Sequence, residues 1–129
     1  MSALKMLVPA DGEEGIIEFI LQTVKAAGAN PCPPIVVGVG IGGTMEKATL
    51  MAKEALSIPL DEETEGEYER NLEERLLEKI NSLGMGPQGL GGKVTSFRVR
   101  VKTYATHIAG LPVAVNINCH VSRHREVII

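Results

Sequence analysis

Hydrophobic residues recur every three or four positions in three stretches of the chain, which is the spacing of an amphipathic helix. The stretches cover residues 11–27, 45–56 and about 68–83. Asp11 and Thr44 stand at the starts of the first two, where a side-chain oxygen can accept hydrogen bonds from unpaired backbone amides. Glycine or proline follows each stretch, so we predict three helices.

Three further segments show the patterns of β-strands. Residues 35–39, Ile-Val-Val-Gly-Val, are apolar throughout, as in a strand buried on both faces. Residues 93–104 alternate, which predicts a half-exposed strand with Arg100 on its charged face. Residues 112–118 predict a last strand. We therefore predict one domain over residues 1–129, of the α/β or mixed α+β class, with helices packed on a small mixed sheet whose edges are exposed.

The composition fits a soluble globular domain and argues against several classes of function. The 129 residues are 44% hydrophobic and carry a net charge of −3, so no general attraction to nucleic acid is expected. Aromatic residues make up only 3%, which argues against base-stacking surfaces. No apolar stretch is long enough to span a membrane, and the first residues lack the pattern of a signal peptide. We expect a cytoplasmic protein that binds neither nucleic acid nor a membrane.

Residues 31–48, PCPPIVVGVGIGGTMEKA, place a glycine-rich turn between a predicted strand and a predicted helix. Gly38, Gly40 and Gly43 match the G-x-G-x-x-G pattern of dinucleotide-binding sites. Such a site also needs an acidic residue about 20 positions later, at the end of a second strand. Here a charged loop and another helix follow instead. Two interpretations stay open: a tight turn with close packing, or a helix N-terminus whose amides bind an anion.

A second glycine-rich segment, GPQGLGGKV at residues 86–94, departs from a phosphate-binding loop at two positions. Pro87 stands where that loop needs glycine, and Val94 stands where it needs serine or threonine. The segment is therefore a flexible connector, an active-site loop or a subunit contact.

The cysteines and histidines are the remaining candidates for site chemistry. Cys32 and Cys119 are too few for a disulfide scaffold, so we expect free thiols or metal ligands at the ends of two predicted strands. His107 is the only histidine in its segment, and a single histidine of this kind is more often a structural or surface residue than a catalytic one. Cys119, His120 and His124 give the spacing C-H-x-x-x-H, but a single cysteine beside two histidines is an incomplete zinc site and the neighbouring arginines disfavour a cation.

Four segments together resemble the class I (iron–sulfur) fumarate hydratase and L-tartrate dehydratase family, in the later half of its α region. In chain order they are MSALKMLVPADG, CPPIVVGVGIGGTMEKA, GMGPQGLGGK and ATHIAGLPVAVNINCH. They span nearly the whole chain. The resemblance implies a hydro-lyase acting on malate/fumarate or tartrate. It also implies a [4Fe–4S] cluster that is held by three cysteines and binds the substrate through its fourth iron.

The resemblance gives roles to individual residues. It implies that Cys32 and Cys119 match two of the cluster ligands, and that His107 matches the active-site histidine that contacts the substrate. This agrees with the chemistry, since thiolates are the usual ligands of such clusters and an open iron is a Lewis acid. The glycine turn is then expected to shape the cluster and substrate site of a hydro-lyase. Its substrate-binding positions would be Gly40, Gly42 and Gly43.

Other functional residues of the family have no counterpart here. Its third cluster cysteine and a substrate-binding arginine belong to an upstream α segment, and its threonine base belongs to a β region. We therefore expect a fragment, a separate domain or one subunit of a split enzyme, inactive alone and dependent on the upstream segment and a β-type subunit or domain. Without these segments, apolar surface and sheet edges would be exposed to solvent, so we expect self-association. The alternative belongs to another class of function. It is a non-catalytic module that takes part in assembly, or that binds a nucleotide or another anion at residues 38–43.

Overall fold

The helices and strands are described by a computed structural model for residues 1–120 and 127–129. In chain order the elements are strand β1 (Ser2–Leu7), helix α1 (Gly12–Ala27), strand β2 (Ile35–Gly42), helices α2 (Met45–Ala55) and α3 (Glu67–Asn81), and strands β3 (Ser96–Tyr104) and β4 (Leu111–Asn118). Within this described part, three α-helices pack on one four-stranded mixed sheet. The predicted class, helices on a small mixed sheet, is confirmed. None of the described helices is long and apolar enough to cross a membrane.

The order and direction of the strands decide at which end of the sheet each connecting segment lies. The order is β1-β4-β2-β3 among the described residues, with β2 parallel to β3 and β4 antiparallel to both of its neighbours. The start of β2 therefore lies beside the end of β4, where Val36 pairs with Asn118. The end of β2 lies beside the end of β3, where Gly42 pairs with Tyr104. The segment before β2 and the segment after β3 therefore lie at opposite ends of the sheet.

The main hydrophobic core lies on one face of the sheet, under α1 and α3. Both helices contribute branched aliphatic side chains at helical spacing, and the strands contribute alternate residues from the same face. Fully buried members of this core include Ile20, Val24, Leu72, Leu76, Ile80, Val37, Val39, Val99, Val113 and Val115.

Helix α2 covers the opposite face, and glycines of β2 allow its close approach. A Cβ atom at Gly40 would lie 2.0 Å from the carbonyl oxygen of Ala48, and one at Gly38 would lie 2.3 Å from that of Ala52. Ala114 of β4 completes this thin interface of small side chains. Two glycines of the motif therefore have a packing role, which supports the first of the two interpretations drawn from the sequence.

Replacing Gly40 by alanine is expected to lower the free energy of unfolding by about 3 kcal/mol, near the upper end of the usual cost of overpacking. The added methyl group meets backbone atoms of α2, so the whole helix must move. Urea unfolding followed by circular dichroism measures the change. Gly110→Ala is the matched control, because its Cβ meets only the flexible Met6 side chain, at 3.3 Å from Sδ. Equal losses in the two variants would contradict this packing role.

The prediction that β3 has a charged, half-exposed face that includes Arg100 is wrong for this residue, because Arg100 is fully buried. Its Nη1 atom lies 3.7 Å from Glu73 Oε2 on α3 and donates to the Thr64 hydroxyl at 3.1 Å. Its other terminal nitrogen donates to carbonyl oxygens of the loop at residues 59–62. The acidic segment between α2 and α3 thus folds over the strand and hides the arginine, which alternation along β3 alone does not reveal.

Helix α3 also covers part of the outer edge of β3. Glu73 Oε1 accepts a hydrogen bond of 2.8 Å from the backbone N–H of Val101. At the start of β3, Asn81 Oδ1 accepts bonds of 2.8 Å from the amides of Thr95 and Ser96. These side chains pair with backbone groups as a neighbouring strand would, so the predicted exposed edge is partly closed here.

Candidate functional site

Cys32 and Cys119 lie at the same end of the sheet. Cys32 precedes β2 and Cys119 directly follows β4, and these strands pair through Val36 and Asn118. The Nδ1 atom of His120 lies 2.9 Å from the carbonyl oxygen of Cys32, so the two cysteine segments are in direct contact. Neither cysteine is in a disulfide bond. The fold therefore brings two segments that are far apart in the sequence, each with one cysteine, to the same end of the sheet, which we call the cysteine end.

The backbone around Cys32 is fixed by its neighbours. Cys32 has a φ of +52°, and its N–H donates to the carbonyl of Ala29 at 3.0 Å. Gln88 donates twice to the carbonyl of Pro33, from its backbone N–H at 2.7 Å and from its side-chain amide at 3.3 Å. The thiol of Cys32 itself is exposed. Gln88 is a residue that the sequence analysis missed, and its place between Pro87 and a glycine gives no signal of this contact.

The second glycine-rich loop, residues 84–92, lies at the cysteine end. Its own backbone is hydrogen-bonded across the loop, from Gly91 N–H to the Met85 carbonyl at 2.7 Å. The amide of Gly86 donates to Thr95 Oγ1 at 3.1 Å. These bonds argue against the flexible-connector interpretation and leave an active-site loop or a subunit contact.

The donor set at the cysteine end fits part of an iron–sulfur site. Cys32 is an exposed residue and Cys119 is half-buried. In residues 1–120 and 127–129, no group of three or more cysteine, histidine or acidic side chains is placed to hold a metal ion. His124 of the C-H-x-x-x-H pattern lies outside the described residues. Two thiolates would need at least one further ligand to hold a cluster.

His107 lies at the opposite end of the sheet, in the loop between β3 and β4. Its Nδ1 accepts a hydrogen bond of 3.1 Å from the N–H of Ala109. A neutral ring with this bond carries its proton on Nε2, which is then a hydrogen-bond donor on an exposed residue. Thr106 Oγ1 lies 3.0 Å from the carbonyl oxygen of Gly43 and 3.3 Å from that of Gly110. Thr106, which the sequence analysis also missed, thus ties the His107 loop to the glycine turn.

Only part of the predicted glycine set reaches this loop. Gly42 has a φ of +91°, and a Cβ there would lie 1.9 Å from the carbonyl oxygen of Tyr104. Gly43 has a φ of +69° and carries the carbonyl that faces Thr106. Gly40 instead lies within β2 under helix α2, with Ala48 filling the space beside it. The structure therefore brings Gly42 and Gly43 to the His107 loop and gives Gly40 a packing position.

An acidic side chain, Glu46, stands in the first turn of α2. Hydrogen bonds from its own backbone amide and from the Thr44 side chain lower the pKa of Glu46. Thr44 Oγ1 also accepts a bond of 3.3 Å from the N–H of Lys47, whose Nζ lies 5.2 Å from the centre of the Tyr104 ring. The negative charge of Glu46 in this first turn would disfavour an external anion, so the anion-binding interpretation of the glycine turn loses support.

The two candidate groups are well separated within one chain. Strand β4 connects them directly and has eight residues. At about 3.3 Å per residue, the strand separates the His107 loop from Cys119 by roughly 25 Å. The fold thus joins Cys32 with Cys119, and His107 with Gly42 and Gly43, but it does not bring the two groups into one pocket.

These observations define an α/β domain that presents thiols at one sheet end and an ordered histidine loop at the other. Residues 1–128 match the model of the fumarate hydratase (Fumerase) family, so the chain belongs to that family. The family resemblance drawn from the four sequence segments is confirmed.

Two relatives show how much of a longer protein this chain represents. It is 52% identical over 123 residues to a protein of Methanocaldococcus jannaschii provisionally named L(+)-tartrate dehydratase subunit alpha, which covers 95% of this chain and 43% of the relative. It is 34% identical over 125 residues to the L(+)-tartrate dehydratase subunit alpha of Escherichia coli K12, covering 97% of this chain and 41% of the relative. The chain therefore spans about two fifths of the length of these relatives.

Proposed function

We propose that this chain forms part of the active site of a hydro-lyase that interconverts a hydroxy-dicarboxylate and its dehydrated product. The observation that carries the proposal is the contact between the two cysteine segments in a member of the fumarate hydratase family. Cys32 and Cys119 are distant in sequence, yet the antiparallel pairing of β2 with β4 places both at one sheet end. An arrangement of this kind suits two ligands of one inorganic group.

Cys32 and Cys119 would hold a [4Fe–4S] cluster together with a third cysteine from an upstream α segment. Their thiolates are the ligand type that such clusters take. When bound, the cluster supplies an iron atom with an open coordination position, which acts as a Lewis acid toward a hydroxyl and a carboxylate group. The contacts of Gln88 with Pro33 and of His120 with Cys32 would keep the two ligand segments in place.

His107 would bind and orient a carboxylate group of the substrate. Its Nε2–H is available as a donor, because Nδ1 already accepts from Ala109. Thr106 holds the loop against Gly43, and the positive φ angles of Gly42 and Gly43 let the chain make this turn. Gly40 would act indirectly, by holding α2 close to the sheet. The base that moves the proton would come from a β-type subunit or domain.

The substrate is L(+)-tartrate or the malate/fumarate pair. Both relatives described above are named for L(+)-tartrate, which makes it the first substrate to test. Both are also named as subunit alpha, which supports a β-type partner for the protein proposed here. The alternative module that binds a nucleotide or another anion has less support, because the acidic Glu46 stands in the first turn of the helix it would use.

The proposal predicts activity only in the assembled enzyme. This chain is combined under anaerobic conditions with its upstream α segment and its β-type partner, and loss of tartrate and hydration of fumarate are followed. We expect turnover of one of them in the complete mixture and none when any part is omitted. Isothermal titration with NAD, ATP, tartrate and malate distinguishes this function from the alternative, a module that binds a nucleotide or another anion. Nucleotide binding without a response to either dicarboxylate, together with an inactive mixture, would overturn the proposed function.

A further inference from the structure

We infer that His120 is a positioning residue for Cys32, and that its Nδ1–H determines how firmly the proposed cluster is held. The inference rests on the proposed function, which makes Cys32 and Cys119 ligands of one cluster. It adds a specific requirement to that site, namely a hydrogen-bond donor at the place of His120 Nδ1. A second donor, Gln88 on the second glycine-rich loop, supports the same segment.

The first argument is that strand pairing does not hold the Cys32 segment. The ladder between β2 and β4 begins at the pair of Val36 with Asn118, four residues after Cys32. Positions 31, 33 and 34 are prolines, which carry no backbone N–H and cannot donate the bonds that would continue this ladder. Cys32 is therefore held at the end of β4 by bonds that the carbonyl oxygens of its segment accept.

The second argument is that two donors from different segments meet two consecutive carbonyls. The carbonyl oxygen of Cys32 lies 2.9 Å from Nδ1 of His120, which follows β4. Because a carbonyl oxygen can only accept, this Nδ1 carries a proton. The next carbonyl, that of Pro33, accepts from the backbone N–H of Gln88 at 2.7 Å and from its side-chain amide at 3.3 Å. The chain at Cys32 is thus tied both to the segment after β4 and to the second glycine-rich loop.

The third argument is the backbone conformation of Cys32 itself. Its φ of +52° lies in the left-handed region, which costs free energy for a residue with a side chain. Such a conformation persists where neighbouring contacts impose it, and residues of this kind gather at functional sites. Among the described residues, Gln88 is the other non-glycine residue with a positive φ, of +55°. The two strained residues lie in segments that are bonded to each other, at the cysteine end.

The loop that carries Gln88 is a firm support for this arrangement. A Cβ atom at Gly86 would clash with the carbonyl of Gly91, so the two sides of the loop pack closely. The N–H of Gly86 donates to the buried Thr95 side chain, and the Thr95 carbonyl accepts from the N–H of Ile35 at 2.9 Å. The loop is therefore connected to the first residue of β2, which favours an active-site loop over a subunit contact.

Two replacements of His120 in the complete anaerobic assembly test the inference. His120→Asn keeps a side-chain N–H close to the place of Nδ1, whereas His120→Gln moves it toward the place of Nε2. The measured quantity is the rate at which a chelator removes iron. We expect about a 10-fold faster loss in His120→Gln, as for other residues that support metal ligands, and a rate within about twofold of the unmodified assembly in His120→Asn.

A general loss of stability would not produce this difference. The urea midpoint should be the same for both variants, and the electron paramagnetic resonance spectrum of the cluster should change only in His120→Gln. Gln88→Gly is a second variant, because glycine adopts a positive φ without strain and keeps the backbone N–H that bonds Pro33. It lacks the side-chain amide, so we expect faster iron loss at an unchanged or higher urea midpoint.

Hydrogen exchange in the cluster-free assembly gives a result that does not depend on iron. Because three of the residues 31–35 are prolines, exchange there reports only the amides of Cys32 and Ile35. The amide of Cys32 should exchange faster in His120→Gln and at the unmodified rate in His120→Asn. Equal iron loss in the two variants, or exchange at Cys32 that neither variant changes, would overturn the inference. Failure of the proposed function looks different, since the unmodified assembly then takes up no cluster.

Discussion

In the hydro-lyase assembly that we propose, replacing Cys119 by serine should remove the bound iron and lower the activity by more than about 100-fold. Changing residues that only support metal ligands already costs 10–100-fold in many sites, so loss of a ligand should exceed this range. The serine hydroxyl is close in size to the thiol but stays protonated and is a poor ligand for a cluster. Because Cys119 follows β4 and is only half-buried, the fold should be unchanged. Cys32→Ser should give the same result.

Iron content and visible absorbance after anaerobic reconstitution measure the loss, and circular dichroism checks the fold. The matched control is the double variant Cys119→Ser/Thr49→Cys, which restores the number of thiols at an exposed position on α2. It should remain without iron, since position and not thiol count decides ligation. Full iron content and activity in Cys119→Ser would show that this residue is not a ligand.

Replacing Arg100 by methionine should lower the free energy of unfolding by about 3–5 kcal/mol, the usual cost of leaving one partner of a buried ion pair alone. Arg100 is fully buried and Glu73 nearly so, and their closest charged atoms lie 3.7 Å apart. Burial lowers the pKa of Arg100, with the nearby charge of Arg98 acting in the same direction and that of Glu73 opposing it. The variant would leave the Glu73 carboxylate buried beside an apolar side chain.

Two further variants make the Arg100 prediction specific. Arg100→Met/Glu73→Gln removes both charges but keeps a side-chain oxygen that can accept from the N–H of Val101, and it should recover part of the lost stability. Arg75→Met removes contacts with Glu13 and Glu14 at the surface and should cost less than about 1 kcal/mol. Chemical denaturation of all variants measures these differences. If Arg100→Met costs no more than Arg75→Met, the buried pair does not hold the acidic loop on β3.

The helices and the central strand were predictable because their side chains repeat a single pattern. Strand β1, Ser2–Leu7, was not predicted, since its apolar residues show no clean alternation and its conformation comes from pairing with β4. The burial of Arg100 was also hidden from the sequence. It depends on Glu73 and the loop at residues 59–64, which lie more than 25 positions away along the chain.

The sequence proposes candidate residues for the site but does not reveal how they are arranged. The sequence pointed to Cys32, Cys119 and His107 through the family resemblance, but strand order is not readable from local patterns. Because β4 lies beside β2 and antiparallel to it, Cys32 and Cys119 lie at one end of the sheet and His107 lies at the other. Thr106 and Gln88 make hydrogen bonds to the carbonyls of Gly43 and Pro33, which are more than 50 positions away in the sequence, and no local spacing reveals such bonds.

Anaerobic iron–sulfur reconstitution tests most directly whether this chain supplies cluster ligands to a hydro-lyase. Absorbance and electron paramagnetic resonance are recorded for the chain alone, for the chain with its upstream α segment and β-type partner, and for the same mixture with Cys32→Ser or Cys119→Ser. We predict an intact [4Fe–4S] cluster in the complete mixture only, and its loss with either substitution. A cluster that forms equally well without these two cysteines, or no cluster in any mixture, would contradict the account.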